Sequence, residues 1–180
     1  MKKVFIVMVA ALIVIPAFQS CKKGENDPAI SFRSRDARLV GTWKLVKLFG
    51  TRNTEDGNIN FSSTFTYDGY TFLDDMNSGS VGGTGTYEMI IEKNGNMSWS
   101  ENIQVGNQNL INNGTGYWKW LNTDKNKSMV NLAGGGHLFE NGDFEIDRLA
   151  YKELILFLKY NTYEEGASNS FDYTYTFEKQ

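Results

Sequence analysis

An all-β fold is the expectation for this 180-residue chain: a single antiparallel up-and-down β-barrel of about eight strands, preceded by an export segment and a short polar tether. Three observations predict it. Apolar and polar residues alternate with a period of two over most of the chain, as they do where successive side chains of a strand face opposite sides. The alternating runs are separated by Asn-Gly and Asp-Gly pairs, the residues of tight hairpin turns. The composition, with 12 Phe, 9 Tyr, 4 Trp and 18 Gly against only 2 Pro, suits half-buried strands punctuated by turns.

Length and charge narrow the function. Removing residues 1–20 from 180 leaves 160, enough for one all-β domain and short for two. The formal charge is −3, and loss of Lys2 and Lys3 takes the basic residues from 18 to 16 against 21 acidic, a net −5. Such a chain offers no basic stripe to displace phosphate counterions, so nucleic acid is not an expected partner.

Residues 1–20 begin with Met1-Lys2-Lys3 and continue with 15 residues, 4–18, that carry no polar side chain. That run is shorter than the roughly 20 residues needed to span a bilayer and has the layout of a signal peptide. Cys21 is the only cysteine, so an internal disulfide is impossible. Signal segment, small Ser20 and Cys21 together resemble the lipobox of bacterial lipoproteins. The resemblance implies that Cys21 becomes an acylated mature N-terminus holding the protein to the membrane of the bacterial cell envelope, at the outer membrane. Residues 21–38 are polar, with Gly24, Asn26, Asp27 and Pro28, and read as a mobile tether in which Asp36 and Arg38 begin a short helix closing one end of the barrel.

The folded domain is residues 39–180 and opens on Gly41-Thr42-Trp43. In the first strand Trp43, Leu45, Lys47 and Phe49 share a face. In the second, Ile59, Phe61, Phe65 and Tyr67 lie opposite Asn60, Ser62, Thr64 and Thr66, and Asp68-Gly69 turns into residues 70–73. Residues 74–85, rich in Asp, Asn, Ser and Gly, read as a loop that shapes an opening. Tyr87, Met89 and Ile91 follow, and Asn94-Gly95 leads into a strand carrying Met97, Trp99, Ile103 and Val105. Asn113-Gly114 reads as the turn before a strand at 117–121, and a charged turn at 124–127 precedes 128–132. Three glycines and Asn141-Gly142 precede strands at 144–149 and 153–160. A polar loop at 161–169 leads to Phe171, Tyr173, Tyr175 and Phe177, set against Asp172, Thr174, Thr176 and Glu178. Closure of so many short strands into a barrel removes exposed edges and leaves room for one small ligand. A β-sandwich is the competing architecture.

Gly41-Thr42-Trp43 at the head of the first strand, the meander, and the closing strand Tyr173-Thr174-Tyr175-Thr176-Phe177-Glu178-Lys179 resemble the lipocalin pattern, in particular the lipocalin-like domains of Bacteroidota lipoproteins. The likeness spans about residues 39–179. Phe144-Glu145-Ile146-Asp147-Arg148-Leu149 followed by Lys152-Glu153-Leu154-Ile155-Leu156 is similar to that group's late strand pair. The resemblance implies a calyx for small apolar molecules and a basic residue, here Lys179, over the tryptophan, here Trp43. The disulfide of the secreted lipocalins is missing.

No catalytic constellation is legible. His137 is the only histidine, follows three glycines, and has no Gly-x-Ser-x-Gly nearby, so an enzyme is not expected. One His and one Cys cannot supply a zinc site. Asp124-x-Asn126-x-Ser128 starts like a calcium loop but lacks the glycine and distal glutamate, so neither metal nor cofactor is implied. Strand parity puts Lys47, Glu101, Arg148 and Lys179 on apolar faces. There a charge is costly unless it pairs with another charge or with a ligand's polar head; otherwise each reaches solvent from a strand end. The expected ligand-binding set is Trp43, Phe65, Tyr87, Met89, Trp99, Glu101, Arg148, Tyr173 and Tyr175, around a small hydrophobic or amphipathic ligand in the lumen of a carrier or sensor. The alternative is a non-catalytic surface interaction module, a packed barrel that contacts protein or glycan through residues 74–85 and 161–169. Mass spectrometry of the mature N-terminus is expected to find the chain starting at Cys21 with acyl chains attached; a free, unmodified Cys21 would remove the anchor.

Overall fold

The computed structural model describes residues 26–28, 33–57, 59–122, 127–164 and 167–180. A short helix α1 (Arg35–Leu39) precedes ten strands: β1 (Gly41–Asp56), β2 (Ile59–Tyr67), β3 (Thr71–Met76), β4 (Gly79–Ile91), β5 (Asn96–Val105), β6 (Gln108–Trp120), β7 (Met129–Leu132), β8 (Gly142–Leu149), β9 (Glu153–Glu164) and β10 (Ala167–Lys179). All pairings are antiparallel, and one sheet closes in a ring in the order β1-β10-β9-β8-β7-β6-β5-β4-β3-β2.

Ten strands replace the expected eight because β1 forks. Its first four residues pair with β4, from Gly41 with Ile91 to Lys44 with Glu88, while Leu48 onwards pairs with β2. The circuit through the β1–β4 contact therefore passes eight strands, and the β2–β3 hairpin is wedged into the wall above it. Its turn fits against a bulge at Val46, where β1's register with β10 shifts between Leu45 and Lys47. Gly69, at φ +98°, rests against the Val46 backbone, and Tyr67 Oη donates to Gly85 O at 3.0 Å. The bulge also reverses side-chain parity. Leu48 and Gly50 take over the inward face, and Lys47 and Phe49, expected inside, are exposed.

Three stretches read as loops or turns are strand. Residues 74–76 and 79–85 belong to β3 and β4, joined by a turn at 77–78; a Cβ at Gly83 would come within 2.2 Å of Gln104 O and 2.8 Å of Phe72 Cζ. Residues 161–164 and 167–169 extend β9 and β10. Asn113-Gly114 is mid-strand in β6, whose turn from β5 is at Gly106, φ +56°. A Cβ at Gly114 would sit 2.8 Å from the Trp99 indole, so this glycine serves a ring, not a turn.

The narrow end is closed by polar contacts. Ser34 Oγ caps α1 by accepting from Ala37 N at 3.2 Å, and Trp43 Nε1 donates to Leu39 O at 2.7 Å. Asp27 is buried between Arg35 and Arg38, at 3.3 and 3.1 Å, and accepts from Leu149 N at 2.7 Å. The part of 21–38 that is described is thus docked on the end of β8 instead of behaving as a loose tether.

At the seam Trp43 stands opposite Lys179, whose Nζ lies 4.8 Å from the ring centroid and donates to Arg38 O and Val40 O, each at 2.6 Å. This explains Gly41 as well: its φ is +143°, and a Cβ there would meet Lys179 Cε at 2.3 Å. A cation–π contact of about 0.5–2 kcal/mol plus two charge-assisted hydrogen bonds is lost on truncation. Lys179→Ala is therefore expected to lower the melting temperature by several degrees, at ~2–4 °C per kcal/mol for a domain of this size. Lys44→Ala, on the other face of β1, is expected to leave it unchanged; equal shifts in thermal denaturation would dismiss the seam.

Candidate ligand site in the upper lumen

The inner face is solid in its lower half and open above. Strands β7 and β8 stop at Leu132 and Gly142, whereas β6 and β9 run on past them, so the wall is interrupted there. The intervening segment 133–141 turns inward. Ala133 N donates to Tyr117 O at 2.9 Å, Gly136 N to Phe139 O at 2.8 Å, and Leu138 and Phe139 are buried. Phe139 stacks on Phe144 at 5.1 Å and meets Tyr175, Phe177 and Tyr87 at 5.0, 5.6 and 5.4 Å between centroids. The chain's own phenyl ring thus occupies the centre of the expected calyx.

One carboxylate holds the segment in place. Glu101 projects inward from β5, as parity requires, and is 2% exposed. Its Oε2 accepts from His137 N at 2.9 Å and Leu138 N at 3.2 Å, and its Oε1 accepts from Asn112 Nδ2 at 2.9 Å and lies 2.8 Å from His137 Nδ1. Burial alone pushes this carboxyl up, but the His137 side chain, Asn112 and the two backbone donors together outweigh it and hold Glu101 below its ordinary value. Gly136 is obligatory in this clasp, because a Cβ would approach Glu101 Oε2 to 2.3 Å.

Above the Phe139 floor, side chains that face inward are still partly exposed, so solvent reaches them from the lumen. Phe65, Asp74, Tyr160 and Tyr173 belong to this set. Tyr160, Phe171 and Tyr173 form a stacked row with centroids 4.5 and 6.4 Å apart, facing the Phe65–Phe72 stack at 5.9 Å. Arg52 lies over Phe171 at 5.3 Å. Tyr160 Oη donates to Glu140 Oε2 at 2.7 Å. Burial first, and then the negative field of Glu140, pushes the Tyr173 hydroxyl up to about 12, with Arg52 opposing and Asp74 adding to the rise. Asp74 Oδ1 is buried and has no hydrogen-bond partner. Beside this space, through the interrupted wall, a groove of about 570 Å³ is lined by Trp99, Gly114, Thr115, residues 133–136, Phe139, Glu140 and Asn141. Glu140 therefore stands on the boundary between groove and upper lumen.

The expected site residues divide accordingly. Phe65 and Tyr173 line the upper lumen and Trp99 the groove. Trp43, Tyr87, Met89 and Tyr175 are buried in the lower half and line neither the upper lumen nor the groove. Glu101 is inside but is consumed by the chain's own segment. Arg148 is outside: β8's register shifts between Ile146 and Arg148, and its guanidinium pairs with Glu153 at 2.5 Å and donates to Asn26 O at 3.3 Å. Cys21, Asp124 and Asn126 lie outside the described residues. Phe139, Glu140, Asp74, Arg52 and Tyr160 were not singled out by sequence; the three glycines before Leu138-Phe139 were the available signal of a segment able to turn inward. Among the described residues no group of three His, Cys, Asp or Glu side chains is placed to hold a metal ion.

Comparison with known proteins finds no matching family model, no matching curated protein and no matching solved structure.

The clasp sets a pH dependence. A carboxyl whose folded pKa is depressed contributes stability that is present above its unfolded value, roughly 4.3, and is lost as pH falls through the folded value. Glu101→Gln is therefore expected to lower the melting temperature most above about pH 5, with the gap to wild type narrowing below about pH 4. A gap constant from pH 3 to 7 would mean that the charge of Glu101 plays no part in holding the segment.

Proposed function

We propose that this chain is a lipid-anchored protein of the bacterial cell envelope that binds a small amphipathic molecule without transforming it, as a carrier or sensor. The site is the upper lumen above Phe139, with the side groove as its approach. The observation that carries this reading is the set of inward-facing but partly exposed aromatic side chains, Phe65, Tyr160 and Tyr173, over a closed floor beside a groove of about 570 Å³. Aromatic walls with a few polar groups are the usual lining of small-molecule sites. The Gly41-Thr42-Trp43 head and the Lys179 seam support the lipocalin-like part of the reading. A second reading, a packed barrel used as a non-catalytic interaction module for protein or glycan, is favoured by the solid lower half, which a hollow calyx does not need.

Intrinsic fluorescence tests the first reading, because Trp99 is the tryptophan on the groove while Trp43 is fully buried at the narrow end. Titration with fatty acids, sterols and bile acids is expected to give a saturable change with at least one class, and Trp99→Phe to remove most of its amplitude. No saturable change with any class, or an unaltered signal in Trp99→Phe, would favour the interaction module.

A further inference from the structure

The upper lumen carries two acids that the fold does not spend. Asp74 projects inward from β3 between Phe72 and Met76, standing opposite Phe65 on β2. Its Oδ1 is buried, has no hydrogen-bond partner, and no cation lies within ion-pair distance of it among the described residues. Glu140 accepts one bond from Tyr160, which leaves its remaining oxygen free to accept another. Both act on Tyr173, whose ring lies across Gly50, close enough that a Cβ there would sit 2.0 Å from Tyr173 Cδ1. Aromatic faces complete the enclosure: the Phe65–Phe72 stack on one wall and the Tyr160–Phe171–Tyr173 row on the other. Arg52 is the cation of this space, and it is spread over the Phe171 face at the exposed rim instead of pairing with either acid.

A buried carboxylate oxygen without a donor is costly, and so is one left open in an aromatic enclosure with low local dielectric. A ligand that brings its own donor relieves both. The negative faces of the surrounding rings favour a positive charge in the same place. The geometry points to an organic ammonium as the recognised head group: an amphipathic amine whose charged nitrogen is held at Asp74, with Glu140 adding to the negative field of the space, and whose apolar part lies on the aromatic walls. An amphipathic carboxylate of the same length would meet two acids and the ring faces and be rejected. The inference rests on the upper lumen being the ligand site and adds to it the sign of the ligand's charge.

The test uses the full chain and three probes of one chain length that differ only in head group: octylamine, octanol and octanoate. At pH 7 octylamine is expected to bind at least tenfold more tightly than octanoate, with octanol between them. Asp74→Asn, an isosteric change, is expected to remove most of that preference, and Glu140→Gln to reduce it. Octanoate binding as tightly as octylamine in the wild type, or a preference unchanged in both variants, would overturn the inference while leaving the site in place. Absence of saturable binding by all three probes would overturn the site itself, and the inference with it.

Discussion

The interior of this protein is organised by the carboxylate of Glu101. An ionised side chain facing into an aromatic core is several kcal/mol out of balance unless donors surround it. Here the donors are Asn112 on the neighbouring strand and the backbone and ring of residues 137–138. To deliver those amides, segment 133–141 must leave the wall and turn inward, and doing so carries Leu138 and Phe139 into the lumen. The solid floor, the interrupted wall and the side groove all follow from satisfying one charge. Because both of its oxygens are committed, Glu101 has nothing left for a ligand.

The wall shows how a sheet closes when its strands do not match in length. β1 runs past the end of its β4 pairing, and the β2–β3 hairpin fills the resulting fork; β7 and β8 end early, and segment 133–141 only partly fills that gap. Bulges at Val46 and between Ile146 and Arg148 supply the bends. β6 from Gly116 towards Gln108 has β5 as its only ladder partner among the described residues, and part of this stretch, Gly114 and Thr115, borders the groove. A regular barrel with equal strands would have neither the groove nor a lumen divided into a filled and an open half.

What the sequence made legible follows from where local rules apply. Period-two parity is local, so it placed Glu101 on the unbroken β5 and Lys179 on the unbroken β10 correctly. It failed for Lys47, Phe49 and Arg148, each of which follows a bulge that shifts parity by one, and nothing in the neighbouring residues marks an inserted register step. Glycine was the second source of error. Gly83 and Gly114 read as loop or turn residues because glycine usually is one, yet each is mid-strand where a neighbouring strand comes close, Gln104 O and the Phe72 ring at Gly83 and the Trp99 ring at Gly114. That pairing is set by tertiary contact and leaves no local trace. The same holds for Phe139, whose place in the lumen depends on Glu101, 38 positions earlier in the sequence.

The two ends of the ring have opposite characters, and this bears on how the protein would stand at a membrane. The narrow end is shut by α1, the buried Asp27–Arg35–Arg38 group and Lys179 lying across Gly41 and Trp43. The other end holds the open aromatic space. Asn26, whose carbonyl accepts from Arg148 at the end of β8, fixes the chain's approach to the narrow end, and Cys21 precedes it by five residues. Five residues reach at most about 18 Å even when fully extended. Were Cys21 acylated, so short a reach would keep the sealed end towards the lipid and leave the upper lumen opening away from it. A ligand would then arrive from the aqueous side, with its apolar part leaving water for the aromatic walls and its head group meeting Asp74 inside, so the site would suit a molecule that is soluble enough to diffuse but apolar enough to be held.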